Sequence, residues 1–229
     1  MIKLTNTDVY GWEAAIRGMR NPKNSWDKSD SICNLECRDY DFCYGCPACH
    51  DDKLCDELID NRTYIGPNDH TIMKKLANAG VDHGKFLRMI TVTVDINAPL
   101  YWWKEFDTYK VGTVANSCST MHKIHAKPFE TDDFSHEHLD CDSYDWMEGT
   151  IELLNNKREL YIITKSKDAW WQLIQLLPSS YNQLRTVQLN YQVLKNMYHA
   201  RKNHKLDEWR DFCEWIKTLP YSELITGEE

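Results

Sequence analysis

The stretch from residue 88 to 96 constrains this chain more than any other. Ile90, Val92, Val94 and Ile96 alternate with Thr91, Thr93 and Asp95, so the apolar set falls on one face of an extended strand and the polar set on the other. Around this half-buried strand the spacing predicts mostly helices. Thr7 or Asp8 caps a first helix whose stripe Val9, Trp12, Ile16 and Met19 shares one face. Asn68 or Asp69 caps a second through Ala79, with Gly80 suited to the left-handed position after its end. A third follows over 99–109, where Trp102 and Trp103 read as core packing.

After a loop over 136–148 rich in His and acids, the pattern predicts helices over 151–163, 168–177, 180–203 and 206–218. The longest carries Leu184, Val187, Tyr191, Leu194, Tyr198 and Arg201 at three- and four-residue steps, which would bring Arg201 near the core. Few strands and many helices without regular alternation imply an α+β fold, a small antiparallel sheet packed with several helices. At 229 residues, one domain over 1–229 is expected, interrupted by an insert at about 31–60.

That insert is polar and turn-rich. Cys33-x3-Cys37-x5-Cys43-x2-Cys46-x2-Cys49-His50-x4-Cys55 places seven soft or borderline ligands in 23 residues. Two-residue gaps let neighbouring thiolates turn back onto one ion, and four such ligands make a closed tetrahedral zinc site. Structural zinc on the cysteines is the first expectation; an iron–sulfur cluster, free thiols and disulfides are the alternatives. Cys118, Cys141 and Cys213 are isolated and read as buried thiols, with Cys118 the exception if the gapless register given below holds. The run with His136, His138, Asp140, Cys141 and Asp142 reads as a solvated face.

A net charge of -8 argues against a broad basic surface for duplex nucleic acid. No apolar run is long enough to cross a bilayer and the first residues lack the apolar core of a signal peptide. A cytoplasmic location, in a bacterial or phage-infected cell, is therefore expected, with metal ligation or buried thiols ahead of disulfides for the nine cysteines.

Two separated segments resemble the flavin-dependent thymidylate synthase family. The stronger is Leu177-Pro178 followed by Asn190, Leu194, Asn196 and Arg201. The other follows Ala98-Pro99, where the family carries Arg-His-Arg-x2-Ser-x-Asn-Glu-x-Ser-x-Arg-Tyr. Without a gap, Thr108-Tyr109-Lys110 stand for Arg-His-Arg and Cys118 for the Ser; with one residue inserted, Asn116 and Ser119 recover the Asn and the Ser. In either register the signature Glu and later Arg are absent, and an Arg expected four residues before Pro178 is Ile174. Charge-assisted bonds are the strong ones in a phosphate site, so these losses put the usual substrate in question.

The resemblance implies that Tyr109, Lys110, Asn116, Asn190 and Asn196 face FAD, and that Ser117, Cys118, Ser119 and Arg201 bind a pyrimidine deoxynucleotide, with Arg201 stabilising charge on the ring as the catalytic residue. It also implies NADPH and methylenetetrahydrofolate as co-substrates, conversion of dUMP to dTMP, and a homotetramer. Small residues from Gly112 to Thr120 allow backbone approach to an anion, with Lys104, Lys110, Lys123 and Arg201 as replacement charge; the alternative is a loop making its own turn bonds. Two further readings stay open: the same fold acting on another pyrimidine nucleotide, and a non-catalytic nucleotide-binding or interaction protein with a zinc module.

Overall fold

The computed structural model describes residues 2–33 and 63–227. The alternating run forms strand β4 (Thr91–Pro99), given that β1 is Lys3–Tyr10, β2 Ile32–Cys33 and β3 Thr63–Tyr64. Val92, Val94, Ile96 and Ala98 are fully buried on one face of β4, as the period of two requires. Both edges of β4 are paired antiparallel, to β1 and to β6 (Asn182–Asn190), and β5 (Val114–Ser117) adds to the far side of β6. The sheet order is β1-β4-β6-β5.

Two of these strands replace expected helix. The first helix begins at Trp12, not at Thr7 or Asp8: residues 3–10 pair with β4, and Gly11 turns the chain into α1 (Trp12–Arg20). Gly11 is at φ 93, and a Cβ there would lie 2.0 Å from the Met89 carbonyl oxygen, so only glycine fits this turn. Trp12, Ile16 and Met19 do share the buried face of α1.

The predicted long helix over 180–203 is likewise β6 followed by α6 (Tyr191–Arg201), the intervening helices being α2 (Pro67–Asn78), α3 (Leu100–Phe106), α4 (Cys141–Thr164) and α5 (Lys167–Leu176). Leu184 and Val187 fit a helical stripe, yet Leu184 is exposed while Gln183, Val187 and Leu189 point inward. Pairing along the whole length of β4 overrides the local pattern. Two corrections are smaller. The loop expected over 136–148 turns into α4 at Cys141, because Asp140 accepts a hydrogen bond from Ser143 N at 2.9 Å and caps the helix. For α2 the cap position is Gly66, and the capping carboxylate comes from Asp30, which takes the Asn68 and Asp69 N–H groups at 2.9 and 3.0 Å.

The main core lies between the sheet, α1, α3, α6, α7 (Asp207–Lys217) and α8 (Glu223–Thr226). At its centre Trp102, Trp103, Phe106, Trp209 and Phe212 pack ring against ring, Trp103 edge to face on Trp102 and Phe106, Trp209 edge to face on Phe212, and Trp102 tilted on Trp209 with centroids 4.8 Å apart. A second cluster of Ile124, Phe129, Phe134, Ile151, Leu154 and Leu173 is held under the α4–α5 hairpin. The outer faces of α4 leave Trp146 and Ile163 about 80% exposed. Among the described residues no helix is long and apolar enough to cross a membrane.

Where the insert leaves and rejoins, β2 and β3 pair Cys33 with Thr63. Beside that ladder Asp69 is buried, accepting from Arg20 Nε at 2.6 Å and from the Ser29 and Ser31 hydroxyls at 2.6 and 2.7 Å. Burial pushes the Asp69 carboxyl up, but these three donors outweigh it and hold the group below the ordinary carboxylate range.

Candidate functional site

Three places gather the residues singled out in the sequence. The first is the end of α6. Arg201 Nη1 meets Glu105 Oε2 at 2.7 Å and Arg201 Nε donates to the Tyr109 hydroxyl at 3.1 Å. The guanidinium lies 4.8 Å from the Trp209 ring centroid and 5.7 Å from that of Tyr109, so its plane is held by two rings as well as by its hydrogen bonds. Glu105 Oε2 also accepts from Trp209 Nε1 at 3.0 Å and faces His204 Nε2 at 3.4 Å. The carboxylate beside Arg201 is therefore on α3, not Asp207 or Glu208 on the following helix, which are the nearer candidates in sequence. Asp207 instead pairs with His138 and Arg210, and Glu208 accepts from the Tyr101 hydroxyl.

Next to this centre, Tyr109 and Lys110 line a cleft of about 310 Å³ with Phe106, Asp107, Thr113 and Ala115. The Thr113 hydroxyl is buried there without a hydrogen-bond partner among the described residues. Arg185 of β6 is bonded to Asp107 Oδ1 at 2.8 Å and stacked 4.1 Å from the Trp103 centroid.

The second place is an open groove of about 720 Å³ between α6 and the C-terminal ends of α2 and α8. Gln192, Asn196 and Ala200 line it at helical steps of four, facing Asn78, Gly80 and Val81. Asn196 Oδ1 accepts from Gln192 Nε2 at 3.1 Å. Lys195 reaches the floor and donates to Ala77 O at 2.9 Å; partial burial lowers its ammonium pKa. Asn190 is not part of this groove. It sits at the N-cap of α6 and accepts from Val193 N at 3.1 Å, so Asn190 and Asn196 do not share one helical face.

The third place is the sheet edge. Asn116 and Ser117 belong to β5, opposite Thr186 and Arg185, and all four β5 residues are exposed. Cys118, exposed like Cys141 and not buried as the default reading has it, prolongs the pairing, its N–H donating to Leu184 O at 2.9 Å and its carbonyl accepting from Gln183 Nε2 at 2.8 Å. Ser119 Oγ accepts from Met121 N and His122 N at 3.3 and 2.9 Å and closes its own turn. Lys104, Lys110 and Lys123 are exposed, and Ile174 packs on the second core cluster.

Of the proposed metal ligands, Cys33 lies in β2, while Cys37, Cys43, Cys46, Cys49 and Cys55 fall outside the described residues. Among the described residues no group of three His, Cys, Asp or Glu side chains is placed to hold a metal. Sequence reasoning missed Glu105, His204, Trp209 and Arg185. The meeting of Glu105 and Tyr109 with Arg201 spans 96 and 92 residues and is set by the packing of α3 on α6 and α7, so no local pattern marks it.

A small antiparallel sheet with α6 running from its β6 strand, and helices over one face, is the fold of the flavin-dependent thymidylate synthases. The chain is similar over 100% of its length, and over 98% of the other chain, to thymidylate synthase ThyX from Helicobacter pylori with FAD and dUMP, at a TM-score of 0.67 and 15% identity. It is similar to the UMP/dUMP methylase PolB from Streptomyces cacaoi bound with 5-Br dUMP at a TM-score of 0.58 and 12% identity, covering 99% of this chain and 94% of that one. No family model and no curated protein matches the sequence.

Proposed function

We propose that this chain catalyses flavin-assisted one-carbon transfer to a pyrimidine deoxynucleotide. The observation that carries the reading is α6: one flank, with Asn196, lines a groove of about 720 Å³, and its end presents Arg201 fixed by Glu105, Tyr109 and Trp209. A rigid guanidinium suits a ring carbonyl that gains negative charge during attack at the neighbouring carbon. By resemblance the reaction is dUMP plus methylenetetrahydrofolate and reduced FAD giving dTMP, tetrahydrofolate and FAD, with NADPH restoring the reduced flavin. The flavin, bound and reduced, would supply the two reducing equivalents. Gln192 and Asn196 are the groove's candidates for holding it, and Lys195 supports its floor.

The proposal extends to a homotetramer with sites shared between chains, supported by the exposed Trp146 and Ile163 on α4 and by Val111 and Val114 beside the open β5 edge. It also includes a single domain over 1–229 and one structural zinc in the cysteine-rich insert, the latter on ligand spacing alone. The second reading, another pyrimidine nucleotide as substrate, is favoured by the absence of the signature Glu and Arg and by Ile174 where the family carries an Arg.

The absorption spectrum of freshly purified protein and FAD titration of the apoprotein test the reading. Saturable FAD binding weakened about tenfold or more by Asn196→Ala is expected. Colourless protein without saturable binding sinks the flavin assignment.

A further inference from the structure

Helix α4 is apolar on two sides. Met147, Ile151, Leu154 and Tyr161 face the second core cluster, with Leu154 fully buried. A second stripe, Trp146, Gly149, Leu153, Asn156, Leu160 and Ile163, repeats at alternating steps of three and four. It runs two residues out of phase with the first, so at about 100° per residue the two lie on nearly opposite sides of the helix. Its four large apolar members are 80, 41, 45 and 81% exposed. A surface helix that serves only its own core carries polar groups on that side.

Gly149 is an independent sign that this side is covered. Glycine weakens a helix interior, and no packing within the chain requires it here, since a Cβ at Gly149 would meet nothing within 4 Å. The missing side chain beside Trp146 leaves room for the indole and backbone of a second helix.

Steps of three and four are the a and d positions of a heptad, and the positions flanking them decide which way a facing helix runs. One flank carries Asp145, Glu152 and Glu159, the other Thr150, Lys157 and Thr164. Antiparallel copies of α4 set each flank against its own kind, so acids meet acids and Asn156 faces an apolar layer. Parallel copies in register set Glu152 against Lys157 of the partner subunit, twice by symmetry. They also set Asn156 against Asn156 of the partner subunit, where each amide finds a hydrogen bond.

We infer that the outer stripe of α4 is an interface with a second copy of this chain, two α4 helices lying parallel and in register about a twofold axis. The inference assigns one contact of the proposed homotetramer and rests on that reading.

Sedimentation equilibrium of the full-length protein, in parent and Leu153→Glu, tests the interface, with thermal melting to check folding. The parent is expected to be oligomeric. Leu153→Glu, which puts a charge in the middle of the stripe, is expected to weaken association by about a hundredfold or more. Ile163→Cys tests the direction under mild oxidation, read by mass spectrometry. A disulfide joining the two substituted positions is expected, because parallel copies bring them together whereas antiparallel ones hold them on the order of 25 Å apart. An oligomeric parent that Leu153→Glu leaves intact overturns the inference and leaves the homotetramer to other surfaces. A monomeric parent overturns both. Absence of the disulfide overturns the parallel register, and its appearance instead between mixed Trp146→Cys and Ile163→Cys copies identifies antiparallel helices. If Leu153→Glu does not fold, the Ile163→Cys disulfide decides alone.

Discussion

Arg20 meets Asp69 at 2.6 Å and Arg201 meets Glu105 at 2.7 Å, so distance does not separate the two pairs; their surroundings do. Arg20 and Asp69 are 3% and 0% exposed, and both Asp69 oxygens are filled, one by Arg20 and one by Ser29 and Ser31. Arg201 and Glu105 are 20% and 36% exposed, with one oxygen of the carboxylate left over. The first pair joins the end of α1, the stem of the insert and the first turn of α2. It has no capacity for a ligand. The second joins α6, α3 and α7 just as firmly, through Trp209 and Tyr109, yet keeps a donor and an acceptor at the surface. A closed ion pair of this kind holds segments together, whereas an open one rigidly presents unused hydrogen-bonding capacity.

The largest effect belongs to the closed pair. Removing one partner strands the other charge in the interior, so Asp69→Ala is expected to lower unfolding free energy by about 3–5 kcal/mol, read from denaturant midpoints. A loss under about 1 kcal/mol would erase the distinction between the pairs. The pH dependence has a definite sign. The folded carboxyl of Asp69 lies below its unfolded value, burial opposing and the Ser29, Ser31 and Arg20 bonds prevailing. Its contribution is thus complete above the unfolded value of about 3.9 and is lost as pH falls through the folded one. The stability gap between parent and Asp69→Asn should shrink as the medium is acidified below about pH 4. A gap that widens there would contradict the assignment.

The open pair should respond in the opposite sense, through ligand before fold. Arg201→Lys keeps the charge beside Glu105 but loses the planar fork and its stacking on Trp209. Stability is expected to stay within about 1 kcal/mol of the parent, while pyrimidine nucleotide binding weakens by about tenfold or more. Calorimetry and thermal melting on the same preparation give both numbers. Unchanged affinity in a clearly destabilised variant would place Arg201 with Arg20, as architecture.

The two pairs also differ in how far the sequence could reveal them. The strand β4 was legible because its alternation is strict and both faces behave as the period demands. The helix α1 was legible from its apolar stripe, α2 from the glycine after its end, and α5 and α7 from the helical pattern over 168–177 and 206–218. The strands β1 and β6 were not, since each takes its conformation from β4: Val9 and Trp12 also fit a helical step, as do Leu184 and Val187, and only pairing with a distant strand decides. Arg201 stood out by its place at the end of a stripe and by resemblance. Glu105 did not, because nothing local distinguishes it from a solvated acid on an amphipathic helix. Asp69 was hidden for the same reason, read as a helix cap while its carboxylate serves a buried arginine 49 residues away.

The smallest expected effect concerns Tyr109, where the two views of the site disagree most usefully. Its hydroxyl accepts from Arg201 Nε at 3.1 Å, and its ring borders both the guanidinium and the cleft with Lys110 and Thr113. Tyr109→Phe removes one hydrogen bond at a partly exposed position, where water can replace the lost acceptor, so the stability change should be about 0.5–1 kcal/mol at most. Packing against Trp209 is kept, which leaves the guanidinium over the same ring. If Tyr109 serves chiefly to aim Arg201, nucleotide affinity should fall about threefold and flavin affinity should not move. If it contacts flavin, as the family resemblance implies, the order is reversed. Measuring both affinities in Tyr109→Phe decides between a residue that positions the open arginine and one that belongs to the cofactor site; equal affinities to the parent for both ligands would leave the phenol a packing group only.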